Sequence, residues 1–262
     1  MSIGRGFWSI VVKGDKSSYN LGVELRHLHG WQLGVTEAME LQRQLAGKVS
    51  RSGGVIAPRF IAGVDVSAPK AGGKADAAVV VVDYPGFTVV ETRVAHGELG
   101  FPYIPGLLSF RESPLILRAC EELTIVPDLV LVDGQGVAHP RRFGLASHLG
   151  LFLDRPTIGC AKSRLCGQHE VPGVTPGSYA ELVDGDEAIG VALRTKLGAN
   201  PIYVSVGHKI DLGSAIQWVL NCCRGYRIPE PTRLAHLAAG GHLKPGGEAI
   251  SPQAGQQGRL FD

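Results

Sequence analysis

Three carboxylates stand where a carboxylate is costly unless it has a partner. Asp65 lies inside the apolar run Ile61-Ala62-Gly63-Val64-Asp65-Val66, where a buried charge must be paired or bound to a metal. Asp133 follows the short apolar stretch Leu129–Val132 and opens Gly134-Gln135-Gly136; ligands bind at the carboxyl ends of strands in α/β sheets. Glu112 stands just before Ser113-Pro114, the expected start of a helix, because proline is tolerated at the first helical position. Each has an ordinary reading too: an aspartate before glycine suits a turn, and a glutamate favours a helix N-terminus. Together, oxygen ligands from separate elements are what a hard divalent cation such as Mg²⁺ requires. Such an ion polarises a phosphodiester, activates water and steadies the leaving oxygen, leaving the protein few further groups to supply. Lys162 is placed to orient that water or neutralise a phosphate, and His236 to assist near the leaving group or the metal. A solvated lysine and a helix-surface histidine are the plain alternatives.

Two other segments are chemically suggestive. In Phe101-Pro102-Tyr103-Ile104-Pro105-Gly106 two prolines stiffen a short loop that displays Tyr103 and Ile104. Rigid apolar loop tips wedge between base pairs, and enzymes that inspect a base take it out of the stack; a core-packed connection is the alternative. The glycines of Gly134-Gln135-Gly136 let backbone amides approach a flat base edge, or merely make a turn. No third glycine follows at dinucleotide-fold spacing, and neither a Gly-x-Ser-x-Gly elbow nor a P-loop is present. His139, His148 and His169 lack zinc-ligand spacing.

The elements that must position these groups alternate. Thr36 is expected to cap a helix carrying Ala38, Leu41, Leu45 and Val49 on one face. Phe60–Val66, the Val-rich run Ala77–Asp83 and Thr88–Ala95 form a strand meander, its last two members joined by Tyr84-Pro85-Gly86-Phe87. A helix from Ser113, a strand at Leu129–Val132, a helix at Phe143–Leu153 and a strand at Thr157–Ala161 follow. Strands at Tyr179–Val183, Ala188–Arg194 and Ile202–Val206 come next, then helices capped by Asp211 and Thr232. This predicts an α/β fold with a mixed sheet and helices on both faces, in the element order of ribonuclease H-like folds.

The chain has 262 residues, 44% hydrophobic, with a net charge of +2, so it can bury a core and is not a disordered protein. That mild charge neither requires nor excludes nucleic acid, since metal-binding carboxylates offset basic residues. No stretch reaches the roughly 18 apolar residues of a membrane helix, and no secretory signal is evident; a cytoplasmic monomer without membrane contact is expected. Five cysteines without a C-x-x-C pair suit reduced, mostly buried thiols. Residues 1–26 are expected to be a flexible extension, 27–240 the catalytic domain, and the Gly-, Pro- and Gln-rich 241–262 a disordered tail.

Long ordered stretches, from about residue 28 to 240, resemble the endonuclease V family: Ile61-Ala62-Gly63-Val64-Asp65, the run from Gly100 to Glu112, Val132 to Arg141, Gly144 to Gly150, Thr157 to Ser163, and Pro229 to His236. The resemblance implies a ribonuclease H-like fold and Mg²⁺-dependent hydrolysis, with Mn²⁺ able to substitute. The expected cut is at the second phosphodiester bond 3′ to a hypoxanthine base, in repair of deaminated DNA. By motif, Asp65, Glu112 and Asp133 are the implied metal ligands, assisted by Lys162 and His236. Tyr103, framed by Pro102, Ile104 and Pro105, is the implied wedge. Gly134, Gly136, Gly144, Leu145 and Leu165 are implied to form the base pocket, with His139 at the phosphates. The implied partner is nucleic acid containing deoxyinosine or inosine. Other readings are the same chemistry on inosine-containing RNA, a nuclease for structured junctions, and a non-catalytic binder of damaged nucleic acid, which the three retained carboxylates disfavour.

Overall fold

Alternation along the first strand sets the architecture. In β1 (Phe60–Val66) Ile61, Gly63 and Asp65 point to one side, Ala62 and Val64 to the other. Both sets are covered, so the strand lies within the molecule. The computed structural model describes residues 22–67 and 73–243; the rest of the two expected tails lies outside them. Around β1 run β2 (Lys74–Asp83), β3 (Val89–Glu98), β4 (Leu129–Val132), β5 (Thr157–Ala161), β6 (Tyr179–Asp184), β7 (Glu187–Leu193) and β8 (Ile202–His208). They form one sheet of order β3-β2-β1-β4-β5-β8-β7-β6. β1, β4 and β5 are parallel, and the remaining neighbours antiparallel. The expected mixed sheet is present.

Among the described residues there are five helices, α1 (Val35–Ala46), α2 (Leu108–Glu121), α3 (Leu145–Leu153), α4 (Leu212–Asn221) and α5 (Glu230–Ala239); α2 to α5 pack on the sheet, and α1 packs outside it against Phe101, Phe110 and Phe143. On one face Ile61, Leu131, Ile158 and Val204 pack with Ala215 and Val219 of α4 and Leu234 and Ala238 of α5. On the other, Val64, Val79 and Val132 pack with Leu115 and Ile116 of α2 and Leu149 and Phe152 of α3. Among the described residues no helix is long and apolar enough to cross a membrane. All five cysteines are free thiols.

Four helix starts differ from expectation, the smallest shift being α3, which begins at Leu145 and not Phe143. α2 begins at Leu108, not Ser113, and holds Pro114 in its interior, where the ring removes one backbone donor. Burial of Leu107 and Phe110 against Ala38 and Phe101 holds the extra turn, and places Glu112 inside the helix. α1 begins at Val35 with Gly34 N–H donating to Glu37 Oε2 at 2.7 Å, so Thr36 is not its cap. α5 begins at Glu230; Thr232 lies in its first turn and donates its hydroxyl to the Pro229 carbonyl at 2.8 Å. The Asp211 cap is as expected, accepting from Ser214 N–H at 2.8 Å.

Val23, Leu25, Leu28 and Trp31 pack against the α2–α3 side of the core, and Arg26 N–H donates to the Phe152 carbonyl at 2.7 Å. The boundary expected near residue 26 falls inside this strip, whose apolar side chains follow neither helix nor strand period.

Gly63 permits the contact on which the acidic site rests. A Cβ there would meet the Pro231 carbonyl oxygen at 1.9 Å, so α5 lies directly on β1. Gly63→Ala forces β1 and α5 apart; overpacking of this kind costs about 1–3 kcal/mol or more, and a urea melt at constant m-value is expected to show that loss.

Candidate active site

Asp65 and Asp133 are lateral neighbours. β1 and β4 pair in parallel with Val64 opposite Val132, so the next residue of each chain is an aspartate on the same side of the sheet. Asp133 N–H donates to the Val64 carbonyl at 3.0 Å and ties the two strand ends together. Each carboxylate has one basic partner: His236 Nδ1 stands 2.6 Å from Asp65 Oδ2, and Lys162 Nζ 2.5 Å from Asp133 Oδ2. His236 arrives on α5 through the Gly63 contact, and Lys162 directly follows β5.

Glu112 approaches from α2. Burial, then the negative charges of Asp65 and Asp133, push its carboxyl up to about 8. The Asp133 carboxyl is likewise raised by burial and by Asp65, with Lys162 opposing. The three acids therefore share one field, although they come from a strand, a loop and a helix. Among the described residues no three His, Cys, Asp or Glu side chains are drawn together as a finished metal cage; Lys162 and His236 occupy carboxylate oxygens instead. The donor set nonetheless fits a hard divalent ion: oxygen ligands from separate elements, carrying negative charge that two basic side chains only partly offset.

Beside this cluster lies a cavity of about 350 Å³, within the range of small-molecule sites. Tyr103, Ile104, Pro105 and Gly106 line one side, Gly144, Leu145 and Leu165 another, and Gly134 and Gln135 contribute beside Asp133 and Lys162. Asp133 and Lys162 thus belong to both the cavity and the acidic cluster, whereas Asp65, Glu112, His236, Gly136 and Pro102 are not among its lining residues. Tyr103 is 73% exposed, an aromatic ring held in water at the rim.

Two of the expected site residues also have structural bonds of their own. His139 lines the cavity but is 2% exposed. Its Nδ1 accepts from Arg141 N–H at 3.1 Å, and its Nε2 lies 2.9 Å from the Gly106 carbonyl. With both nitrogens engaged it fastens the loop that carries Tyr103. Burial depresses it to about 4, so the ring is neutral. Gly136 likewise bonds within the protein: its N–H donates to Ser205 Oγ at 2.9 Å and its carbonyl accepts from Gly144 N–H at 2.9 Å. A Cβ there would meet the Val206 carbonyl at 2.0 Å, so the glycine serves close packing on β8.

Sequence reasoning missed Gln42, Leu108, Ser109, Ser163 and Arg164, all at the cavity. Gln42 had a signal: it stands four residues after Ala38 on an apolar helix face, yet it is fully buried. Arg227 is another, its Nη2 donating to the Lys162 carbonyl at 2.7 Å.

The family model described as Endonuclease V matches residues 43–237. The chain belongs to the endonuclease V family. It is similar to the endonuclease V of Dehalococcoides mccartyi, with 52% identity over 219 residues, 84% of this chain and 98% of that relative. The crystal structure of the Bacillus subtilis endonuclease V has a TM-score of 0.79 and 31% identity, covering 83% of this chain and 95% of that one. Ciona intestinalis endonuclease V, solved in complex with a 24mer DNA containing an inosine followed by a ribo-adenosine, has a TM-score of 0.70 and 29% identity, covering 79% and 96%. The sheet of this endonuclease V family member is of the ribonuclease H-like class.

Because the Glu112 carboxyl is raised, ionising it costs the metal-free fold stability as pH climbs from the ordinary glutamate value toward 8. Glu112→Gln is expected to raise the melting temperature of metal-free protein at pH 8 and leave it nearly unchanged at pH 4.5. Thermal melts at the two pH values check this.

Proposed function

We propose that the protein is a Mg²⁺-dependent nuclease, with Mn²⁺ able to substitute, that nicks DNA at the second phosphodiester bond 3′ to a deoxyinosine. The observation that carries this reading is the shared position of Asp133 and Lys162, which join a base-sized cavity to a buried acidic cluster. The inosine-containing DNA in the Ciona intestinalis complex supports the substrate class.

In this reading Asp65 and Asp133 hold the ion and Glu112 completes its surroundings. A divalent ion held by these residues would lower the pKa of a bound water and offset charge on the phosphate. Glu112, whose carboxyl is raised to about 8 by burial and then by Asp65 and Asp133, would lose its proton on binding a cation. Lys162 exchanges its ion pair with Asp133 for the scissile phosphate or the attacking water. His236 keeps Asp65 oriented through Nδ1 and assists at the leaving side.

Tyr103 enters the stack and the lesion turns into the cavity, between Leu145 and the side of the loop around Leu165. Hypoxanthine pairs weakly, which lowers the cost of extruding it. It lacks the 2-amino group of guanine, so close walls reject guanine by bulk, while adenine lacks its 6-oxo acceptor and ring N–H donor.

The test is gel analysis of end-labelled duplex carrying one deoxyinosine, beside an unmodified duplex and an inosine RNA, with and without Mg²⁺. A Mg²⁺-dependent nick one nucleotide beyond the lesion supports the reading; preferential cutting of the RNA shifts the substrate, and no cutting overturns it. Asp133→Asn is expected to lower the rate at least about a thousandfold while DNA binding persists. Tyr103→Ala is expected to slow cutting of duplex about tenfold more than cutting of single strand, from the loss of one stacked ring.

A further inference from the structure

The loop that carries Tyr103 is fastened with more donors than a loop connection needs. At its start Arg111 Nη1 donates to the Phe101 carbonyl at 2.5 Å. At its end three side chains converge on one acceptor, the Gly106 carbonyl: Gln42 Nε2 at 3.0 Å, His139 Nε2 at 2.9 Å and Arg141 Nη2 at 2.8 Å. A carbonyl oxygen has two lone pairs, so three donors make it the most heavily subscribed acceptor of the loop. Gly106 has φ +81°, and a Cβ there would come within 2.8 Å of Arg141 Nη2; the cluster of donors and the glycine require each other.

The three donors also bind one another. Arg141 Nε donates to Gln42 Oε1 at 2.5 Å, and Arg141 N–H donates to His139 Nδ1 at 3.1 Å. That second bond fixes the His139 tautomer: Nδ1 accepts, so Nε2 carries the proton that faces Gly106. Gln42 has a further bond, Nε2 to the Phe143 carbonyl at 3.0 Å. Phe143 precedes Gly144 and Leu145, which also line the cavity. One fully buried amide on α1 therefore spans the end of the Tyr103 loop and the start of α3.

We propose that Gln42 is a positioning residue that locks the Tyr103 loop to the wall of the base cavity, so that strand separation and capture of the extruded base occur as one rigid event. This rests on the proposed reading of Tyr103 as a wedge. An aromatic ring that must part stacked bases does so only if its loop resists the push in return, and small misplacements of such a group are costly in rate. The lock matters for a paired substrate, where the stack must be opened, and less for a single strand.

Two measurements test it. In Gln42→Met, which keeps the length but removes both donors and the acceptor, hydrogen exchange of the peptide spanning residues 101–107 is expected to rise in substrate-free protein, with the sheet unchanged. The ratio of single-turnover rates on duplex and single-stranded deoxyinosine DNA is expected to fall about tenfold, and Gln42→Glu, which restores the acceptor for Arg141 alone, to recover part of it. Unaltered exchange in 101–107 overturns the lock whatever the protein cuts. Raised exchange with an unchanged rate ratio overturns the coupling to strand separation. Absence of cutting by the wild-type protein refutes the proposed function separately. If Gln42→Met does not fold, Arg141→Lys, which loses the bond to Gln42 Oε1, is read by the same exchange measurement and the same ratio.

Discussion

Asp65 and Asp133 end two adjacent parallel strands in register, on the same side of the sheet, and Glu112 meets their field from α2. Carboxylates so placed cannot all be ionised without positive charge between or beside them. Much of the surrounding architecture answers that need. The absence of a side chain at residue 63 lets α5 lie on β1 and bring His236 to Asp65. β5 runs parallel beside β4 and delivers Lys162 to Asp133. The Asp133 and Glu112 carboxyls both remain raised, by burial first and then by the neighbouring acids, with Lys162 opposing at Asp133.

The cavity is built outward from the same strand ends. Asp133 leads into Gly134 and Gln135, and the Gln135 carbonyl accepts from Ala146 N–H at 2.9 Å, which seats α3 against the loop. Across the cavity the Tyr103 loop is fixed by Arg111 at one end and the Gln42–His139–Arg141 group at the other. Arg111 is the chain neighbour of Glu112, so the loop and the third acid share a helix. The acidic cluster and the cavity are thus placed by one set of short connections.

Much of this was legible in the sequence, for identifiable reasons. Asp65 stood out because an apolar strand tolerates no idle charge, and Asp133 because it follows a four-residue apolar run at its carboxyl end. β4 and β5 were read to the residue because both are buried on both faces and bounded by turn residues. The start of α2 was not legible: Pro114 suggests a first turn, and only the distant packing of Phe110 on Ala38 and Phe101 carries the helix back to Leu108. The bonds that His139 and Gly136 make within the protein were not legible. Their actual partners, Gly106 and Ser205, lie 33 and 69 residues away in the chain, beyond any local pattern. Gln42 was visible only as a polar residue on an apolar face, a signal that says "buried and bonded" without naming the bond.

The proposed function requires that the three acids form a divalent-cation site that exchanges its protein counter-charges for metal. The most direct test is an anomalous difference map from crystals soaked in Mn²⁺. The account predicts one or two peaks within coordination distance of both Asp65 and Asp133, with Lys162 Nζ displaced from Asp133. A map with no peak at these carboxylates, or with Lys162 still paired to Asp133 at saturating Mn²⁺, would contradict it.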